Sequence, residues 1–281
     1  MMNDFHLTCE MLEAYRAHLT AEDRAPGTVE KYLRDATAFF RWLEGRPAVR
    51  ETAAAWKEAL LASGCAPVTV NSMLAAVNGL FRFLGWDQRV RLLRIQRRIF
   101  REAGRELTRG EYETLVRTAR ERGQERLALV METICATGIR VGEVRNITVE
   151  AARLGRAEIA LKGKIRVILM PGKLRRKLLK YAKAQKIASG EIFRTRDGAS
   201  LSRKQIWAEM KRLCMQAGVS PAKVFPHNLR HLFARTFYRV CRDIVQLADV
   251  LGHSSLETTR IYLLTTGEEH RRQLEKLGLV S

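Results

Sequence analysis

Residues that bind oxyanions and exchange protons recur at short spacings near the end of the chain. His227 and Arg230 are three residues apart in the segment Pro-His-Asn-Leu-Arg-His, a spacing that places both side chains on one face of a helix. His253 follows in Leu-Gly-His-Ser-Ser, and Tyr262 comes nine residues after it. Arginine holds anionic oxygens with two parallel bonds, histidine titrates near neutral pH, and a tyrosine hydroxyl can act as a nucleophile. Each residue alone has an ordinary structural explanation, but the ordered set predicts one catalytic site.

One arginine and two lysines earlier in the chain extend this set. Arg140 comes two residues after Gly138 in Ala-Thr-Gly-Ile-Arg-Val-Gly-Glu, and Glu143 follows one turn later, where its carboxylate can orient the guanidinium. Lys162 and Lys164 flank a glycine between two runs of β-forming residues. That pattern predicts a small hairpin with lysines at its turn.

The first ~85 residues contain only helical patterns. Residues 10–19 are amphipathic, and a second helix is predicted to open near Ala25, with Thr28 as its N-cap. A similar sequence recurs 41 residues later, at Ala66-Pro-Val-Thr-Val. Two copies are too few for a solenoid, so we interpret them as two similar helices packed in one bundle.

The second part of the chain mixes helices with the hairpin. Thr108 and Glu111 fit a capping box for a helix through Arg122. Further segments predict a helix over 125–136 ended by a glycine, a hairpin within 158–170, a helix over 171–186, and a helix carrying Tyr262 that Ser254 and Glu257 cap. The predicted fold class is mainly α with a small antiparallel β-sheet.

Charge and composition indicate the class of partner. Fifty Lys and Arg against thirty Asp and Glu give a formal charge of +20 and a pI near 10.4. This surplus favours a polyanion as partner, DNA being the commonest, and RNA binding or ribosomal association would explain it equally well. Residues 87–109 are rich in arginine and are either a solvated face or a strap along a phosphate backbone. The predicted DNA contacts in that strap are Arg94, Arg97, Arg98 and Arg101.

Cysteine usage and hydropathy bound the compartment. The five cysteines are far apart and form no CxxC pair, so neither a disulfide framework nor a zinc site is predicted. No apolar run approaches the length of a membrane span, and the N-terminus has no secretory pattern. We therefore expect a cytoplasmic, nucleoid-associated protein that is neither secreted nor membrane-spanning.

Three segments together resemble a known family. ATGIRVGE, HNLRH and LGHSSLETTRIY match the motifs of the tyrosine recombinases of the phage-integrase and Xer type, and the resemblance covers nearly the whole chain. It implies a two-domain clamp around DNA: a helical core-binding domain at 1–88, a basic linker at 89–105, and a catalytic domain at 106–281. A helix in the C-terminal tail ends the catalytic domain. No arm-binding domain is expected before residue 1, which favours simple core sites.

The resemblance also implies residue roles. Arg140 and Arg230 bind the scissile phosphate, His227 and His253 take the two histidine positions, and Tyr262 is the nucleophile that forms a 3′-phosphotyrosine without metal or cofactor. Glu143 braces the first arginine, and His231 lies behind the catalytic set. The family hairpin is shortened here, so alignment on the Lys-Gly pair makes Lys162 the general acid, with Lys164 as the alternative.

The resemblance implies an assembly as well. Four copies join two sites on double-stranded DNA and pass through a Holliday junction. Residues 268–279 have an amphipathic pattern, and this tail is expected to pack into a neighbouring subunit; the alternative is a helix packed on its own domain. The free protein is expected to be monomeric, and accessory proteins are possible. The function would be integration or excision of a mobile element, or resolution of dimers. The rival hypotheses are a relaxing enzyme of the type IB topoisomerase kind and a catalytically silent, sequence-specific DNA-binding protein of the same fold.

Overall fold

The chain divides into two compact units, Met1–Arg97 and Arg98–Ser281. A computed structural model describes residues 5–95, 103–161, 164–262, 271–272 and 274–277, with the backbone alone at positions 103, 161 and 164. Each unit has its own core of buried apolar side chains. The division falls inside the predicted basic linker, whose bounds remain a prediction.

The described part of the first unit is helical, as its pattern predicted. Its helices are α1 (Cys9–Ala21), α2 (Pro26–Leu43), α3 (Arg50–Ala62) and α4 (Pro67–Phe83). Helices α2 and α4, which carry the 41-residue repeat, pack against each other. Phe39 and Phe81 are fully buried between them, with ring centroids 6.0 Å apart in an edge-to-face arrangement. The repeat therefore marks two similar helices of one bundle.

The predicted N-cap at Thr28 is wrong. Helix α2 begins at Pro26, and its N-cap is Ala25, whose side chain makes no capping bond. The amide of Thr28 already donates to the Ala25 carbonyl at 2.7 Å, so Thr28 lies inside the helix. Proline at the first helical position presets the helical φ and has no N–H to leave without a partner, so it favours a helix start at Pro26.

The chain that follows α4 is fixed along that helix by two asparagines. The Asn78 amide exchanges two hydrogen bonds with the backbone of Val90, at 2.9 and 3.0 Å. Asn71 holds the backbone of Leu93 in the same way, at 2.9 and 2.7 Å. Arg94 is exposed beside this attachment. The other predicted strap contacts, Arg97, Arg98 and Arg101, lie outside the described residues.

The second unit combines helices with one hairpin. Its first helix starts at the predicted capping box, in which Thr108 and Glu111 exchange bonds of 2.8 and 3.2 Å. Strands β1 (Arg156–Leu161) and β2 (Lys164–Leu169) pair antiparallel, with Arg156 opposite Leu169. The helices are α5 (Arg109–Glu121), α6 (Glu125–Thr137), α7 (Val149–Leu154), α8 (Gly172–Ala184), α9 (Arg203–Gln216), α10 (Pro226–Cys241), α11 (Ile244–Leu251) and α12 (Leu256–Arg260). The mainly α fold class is confirmed.

Helix α6 forms the centre of this unit. It packs against α5, α8, α9 and α10, and Leu129, Met131 and Ile134 on it are completely buried. A helix that is apolar on most sides is stable only inside a core. Its C-terminus at Thr137 therefore lies deep in the unit, and the chain that leaves it delivers Arg140 to a fixed position.

Candidate active site

Five of the six predicted catalytic residues line one open pocket of about 590 Å³. They are Arg140, His227, Arg230, His253 and Tyr262. They come from the chain after α6, the start of α10, and the segments after α11 and α12. The sixth, Lys162, lies outside the described residues. Of its alternative, Lys164, the structure describes only the backbone, as the first residue of β2.

Two helix ends hold the arginines. Gly138 ends α6 with φ of 65°, and its carbonyl accepts a bond from Arg230 Nη1. A side chain at this position would collide with the Phe233 ring, so only glycine gives both the left-handed turn and the close packing. Arg140 leaves this turn two residues later, as its spacing from the glycine predicted.

The end of α11 supplies the second set of acceptors. Gly252 turns the chain with φ of 62°. The Leu251 carbonyl accepts from Arg230 Nη2 at 2.7 Å, and the Gly252 carbonyl accepts from Arg140 Nη2 at 3.2 Å. Carbonyls at a helix C-terminus lack partners within the helix and carry partial negative charge. The guanidinium groups satisfy them and are held in place by them.

Glu143 is a buried carboxylate beside Arg140. Its Oε1 accepts from Arg140 Nη1 at 3.1 Å, and its Oε2 accepts from the Arg140 amide at 3.0 Å. Both residues lie at the start of a 3-10 turn, Val141–Asn146. Glu143 also pairs with Arg166 of β2, and Arg166 in turn donates to the Leu251 carbonyl. Through Glu143 and Arg166, the hairpin is connected to the pocket.

His253 links Arg230 to a buried threonine. Its Nε2 lies 3.1 Å from Arg230 Nη2, and its Nδ1 lies 2.8 Å from Thr259 Oγ1. Arg230 can only donate, so Nε2 is the acceptor and the proton of the neutral ring is on Nδ1. Burial, followed by the charges of Arg230 and Arg140, lowers the pKa of His253 to about 4. The ring is therefore neutral at pH 7.

Two further histidines form a row of rings with Tyr262. The centroid of His231 lies 4.4 Å from that of His227 and 4.6 Å from that of Tyr262, both edge to face. Burial lowers the pKa of His231 to about 3, with His227 as the next contributor. Desolvation in the pocket lowers the pKa of His227, and the charge of Arg230 lowers it further. Both rings are neutral at pH 7 and can accept a proton.

Tyr262 lies just past a helix rather than on one. Helix α12 ends at Arg260, and the Tyr262 amide donates to the Thr259 carbonyl at 3.0 Å. The predicted cap at Ser254 is wrong by one residue, because Ser255 accepts from the Glu257 amide at 3.3 Å. The Tyr262 ring is 95% buried, since its exposed fraction is 5%, and it stacks on His253 at 5.9 Å.

Arg230 is the most buried of the site arginines, with an exposed fraction of 3%. Burial lowers its pKa to about 10, the charge of Arg140 contributes next, and the hydrogen-bonded phenol of Tyr262 opposes the change. The group stays protonated at neutral pH. The phenol of the predicted nucleophile therefore lies beside a charged guanidinium.

Three residues that the structure brings to the site had no role in the sequence-based prediction. Arg166 bridges Glu143 and the end of α11, although it stands in the hairpin motif that suggested the lysines. Thr259 is fully buried against His253, and its only signal was a position in the segment before Tyr262. Arg203, at the start of α9, lines the same pocket, and no motif singled it out.

The described residues form neither a metal site nor a membrane-spanning helix. They contain no group of three or more His, Cys, Asp or Glu side chains placed to hold a metal ion. None of the helices in the described ranges is both long and apolar enough to cross a membrane.

Comparison with protein families decides what this pocket belongs to. Residues 105–269, more than half of the chain, match the model of the phage integrase family, and residues 12–88 match the phage integrase N-terminal SAM-like domain. The chain belongs to the phage integrase family of tyrosine recombinases. It is a site-specific recombinase, and the family expected from its three motifs is confirmed.

Similar proteins of known name agree with this assignment. A tyrosine recombinase XerA of Thermococcus kodakarensis is 29% identical over 279 residues, which cover 96% of each chain. XerA of Pyrococcus furiosus is 27% identical, covering 99% of this chain and 98% of its own. In both cases the alignment spans the two units of this recombinase.

Solved structures show the same fold. A lambda integrase tetramer bound to a Holliday junction superposes with a TM-score of 0.74 at 19% identity, covering 90% of this chain and 76% of that one. XerH bound to its difH substrate superposes with a TM-score of 0.68 at 19% identity, covering 98% and 84%. At this identity the likeness is one of fold.

Proposed function

We propose that this recombinase cuts and rejoins double-stranded DNA at specific sites through a 3′-phosphotyrosine on Tyr262. The observation that carries the proposal is the convergence of two guanidinium groups, two histidines and a buried tyrosine in one pocket. These residues are up to 122 positions apart, from Arg140 to Tyr262. Relatives solved on core-site and difH DNA support double-stranded DNA as the substrate.

The two arginines are suited to hold the scissile phosphate. Arg140 is oriented by Glu143, and Arg230 is fixed by the carbonyls of Gly138 and Leu251. Attack on phosphorus places more negative charge on the non-bridging oxygens, and preorganised guanidinium forks stabilise it without reorganising. His253 accepts from Arg230 and is held by Thr259, and it helps to keep the Arg230 guanidinium in position.

Strand cleavage follows from attack by the tyrosine. Tyr262 Oη forms a bond to phosphorus, and the bond from phosphorus to the 5′-oxygen breaks. His227, neutral because its pKa is lowered, accepts the phenolic proton. The departing 5′-oxygen takes a proton from Lys162 or, as the second choice, Lys164. Attack of a 5′-hydroxyl on the phosphotyrosine reverses these steps and rejoins the strand without a nucleotide cofactor.

The assembly is part of the same proposal. Four copies join two sites, exchange strands through a Holliday junction, and contact each other through their C-terminal tails, whereas the free protein is a monomer. The lambda integrase tetramer on a Holliday junction supports this arrangement. The domain bounds 1–88, 89–105 and 106–281, accessory proteins and a cytoplasmic, nucleoid-associated location belong to the proposal as well.

A trapping experiment tests the chemistry. Nicked duplexes from the flanks of the gene are mixed with protein, and covalent adducts are separated in denaturing gels. Wild type is expected to form an adduct at the 3′ side of the break, and Tyr262→Phe to form none, because the nucleophilic oxygen is gone while DNA binding is retained. Tyr238→Phe, on α10 outside the pocket, is the matched control and should react like wild type.

Two results would contradict the proposal. One is an adduct that persists in Tyr262→Phe. The other is tight, site-specific binding by wild type without an adduct on any flanking sequence, which would favour a silent DNA-binding protein. Relaxation of supercoiled plasmid without sequence preference would instead favour the topoisomerase-like rival.

A further inference from the structure

Arg203 lies at the edge of the catalytic pocket, at the start of a capped helix. It is the first residue of α9, directly after a capping box in which Ser202 and Gln205 exchange bonds of 2.9 and 3.2 Å. A methyl group placed on Gly142 would lie 3.3 Å from Arg203 Cδ. The aliphatic part of Arg203 therefore passes over Gly142, two residues after Arg140, and its side chain lines the pocket.

Within the described residues, the charge of Arg203 is not paired with a carboxylate. The pocket lining contains three guanidinium groups, those of Arg140, Arg203 and Arg230, against the single carboxylate of Glu143. Glu143 pairs with Arg140, and Arg230 is buried on backbone carbonyls. Arg203 is exposed, and its guanidinium forms no ion pair with the described residues. An exposed, unpaired cation beside a phosphate site is a second place for anionic oxygen.

We propose that Arg203 binds a DNA phosphate that neighbours the scissile phosphate on the same strand. This inference rests on the proposed function, in which Arg140 and Arg230 bind the scissile phosphate and leave Arg203 for another one. A DNA strand presents its next phosphate one nucleotide away, and a guanidinium fork binds it with two charge-assisted bonds. Arg203 is thus a positioning residue: it holds the backbone on one side of the phosphate that Tyr262 attacks.

Binding is measured first, in a Tyr262→Phe background where no strand is cut. Arg203→Gln is compared with its parent on the same duplex over a series of salt concentrations. The variant is expected to bind roughly tenfold more weakly at low salt, and the slope of log K against log salt is expected to fall by about 1, since one phosphate contact is lost. Arg203→Lys should keep most of the slope, because a point charge remains.

The control is Lys204→Gln, which removes the same charge from the next residue of α9. Lys204 is exposed and does not line the pocket. It is expected to leave the salt slope closer to wild type than Arg203→Gln does. If both variants change the slope equally, the effect is one of general charge and the assignment is overturned.

A methylphosphonate scan locates the contact. Single phosphates within a few nucleotides of the scissile one are neutralised in turn. Neutralising one of these phosphates is expected to weaken DNA binding by the parent protein. The same change should leave binding by Arg203→Gln unaffected, because that variant has already lost the contact. If no phosphate behaves in this way and the variant instead loses discrimination between base pairs, Arg203 reads a base edge and the proposal is wrong.

The adduct assay separates positioning from catalysis. In the protein that retains Tyr262, the Arg203→Gln variant is expected to need a higher DNA concentration for half-maximal adduct formation. Its rate of adduct formation at saturating DNA is expected to stay near that of wild type. A lost rate with unchanged affinity would place Arg203 on the scissile phosphate and overturn the proposal. If wild type forms no adduct at all, the proposed function fails, but the binding measurements still decide the contact of Arg203.

Gly142→Ala is a second, independent variant. The added methyl crowds the stem of Arg203 at 3.3 Å and should displace its guanidinium. It is expected to reduce affinity in the wild-type background and to add nothing to Arg203→Gln. Equal effects in both backgrounds would show that Gly142 acts without Arg203 and would contradict the geometry on which the proposal depends.

Discussion

At the scale of single residues, the site combines charged arginines with neutral histidines. Burial opposes a positive charge on His253, and the nearby charges of Arg230 and Arg140 oppose it further. Neutral imidazole can accept a bond from Arg230 and a proton from a phenol, whereas imidazolium can do neither. Burial and the arginine charges that serve to hold phosphate therefore also keep the histidines neutral.

Low pH should destabilise the protein through these histidines. The pKa of His253 is about 4 in the folded chain against an ordinary value of 6.5. The unfolded chain therefore binds a proton below about pH 6.5 that the folded chain binds only near pH 4. The contribution of His253 to stability is complete above pH 6.5 and is lost as the pH falls toward 4.

Urea unfolding at pH 7 and pH 5 checks this expectation. The free energy of unfolding of wild type should fall between the two values, and it should fall less for His253→Gln, which cannot titrate. His18→Gln, in the first unit, is the comparison and should keep the wild-type loss. An equal loss in wild type and His253→Gln would contradict the argument.

At the scale of elements, two helix ends decide where the arginines lie. The carbonyls after α6 and α11 accept from Arg230 and Arg140, so each helix end acts as a clamp. Helix ends normally find these partners in water or in a cap. In this unit the guanidinium groups of the site take that place, which ties catalytic geometry to the packing of α6.

Gly138→Ala should disturb this clamp. Alanine must adopt φ near 65° and meets the Phe233 ring, so we expect a loss of about 2–4 kcal/mol in the free energy of unfolding. Gly123→Ala has the same positive φ, at 68°, but open space around it, and should cost about 1 kcal/mol. Thermal or urea unfolding measures both, and equal losses would show that the ring contact contributes nothing.

The hydrogen bonds by which asparagines of α4 hold the following chain lead to a separate prediction. Asn78→Ala removes both bonds to Val90, and an unpaired backbone group costs about 1–3 kcal/mol. Hydrogen exchange at the Val90 amide should accelerate while the core of α2 and α4 stays protected. Asn78→Asp keeps the acceptor and should exchange more slowly than Asn78→Ala. Unchanged exchange in both variants would contradict the role of the asparagine.

At the scale of the whole molecule, the positive charge is unevenly divided. Residues 1–97 contain 13 Lys and Arg against 11 Asp and Glu, whereas residues 98–281 contain 37 against 19. The formal charges are therefore +2 and +18. The catalytic unit carries nearly all of the excess, although the helical unit matches a family domain of its own.

Nonspecific DNA binding should follow this division. Since each unit has its own core, both are expected to fold as separate fragments. The 98–281 fragment should keep most of the salt dependence of the full chain, because the number of neutralised phosphates sets the slope. The 1–97 fragment should bind random-sequence duplex weakly. Titrations of both fragments over a salt series measure this, and a steeper slope for 1–97 would contradict it.

The amino-acid sequence by itself determined the local features and the family. Periodicity and caps predicted the helical first unit, the capping box at Thr108 and the hairpin, because these depend on residues within a turn or two of each other. The three-residue spacing of His227 and Arg230 likewise predicted that both would line one pocket. Where a local rule had a local competitor, as when Pro26 displaced Thr28 at a helix start, the prediction failed within the same few residues.

Only the tertiary structure decided which distant groups meet. Arg230 reaches carbonyls 92 and 21 positions away, and Arg140 reaches one 112 positions away. No periodicity connects such residues, since their contact depends on how α6 and α11 both pack against α10. The same packing brings Arg166 and Arg203 to the site without a motif of their own. It also places His253 between Arg230 and Thr259. The sequence could not predict that this ring is neutral, because the burial and neighbouring charges that lower its pKa exist only in the folded chain.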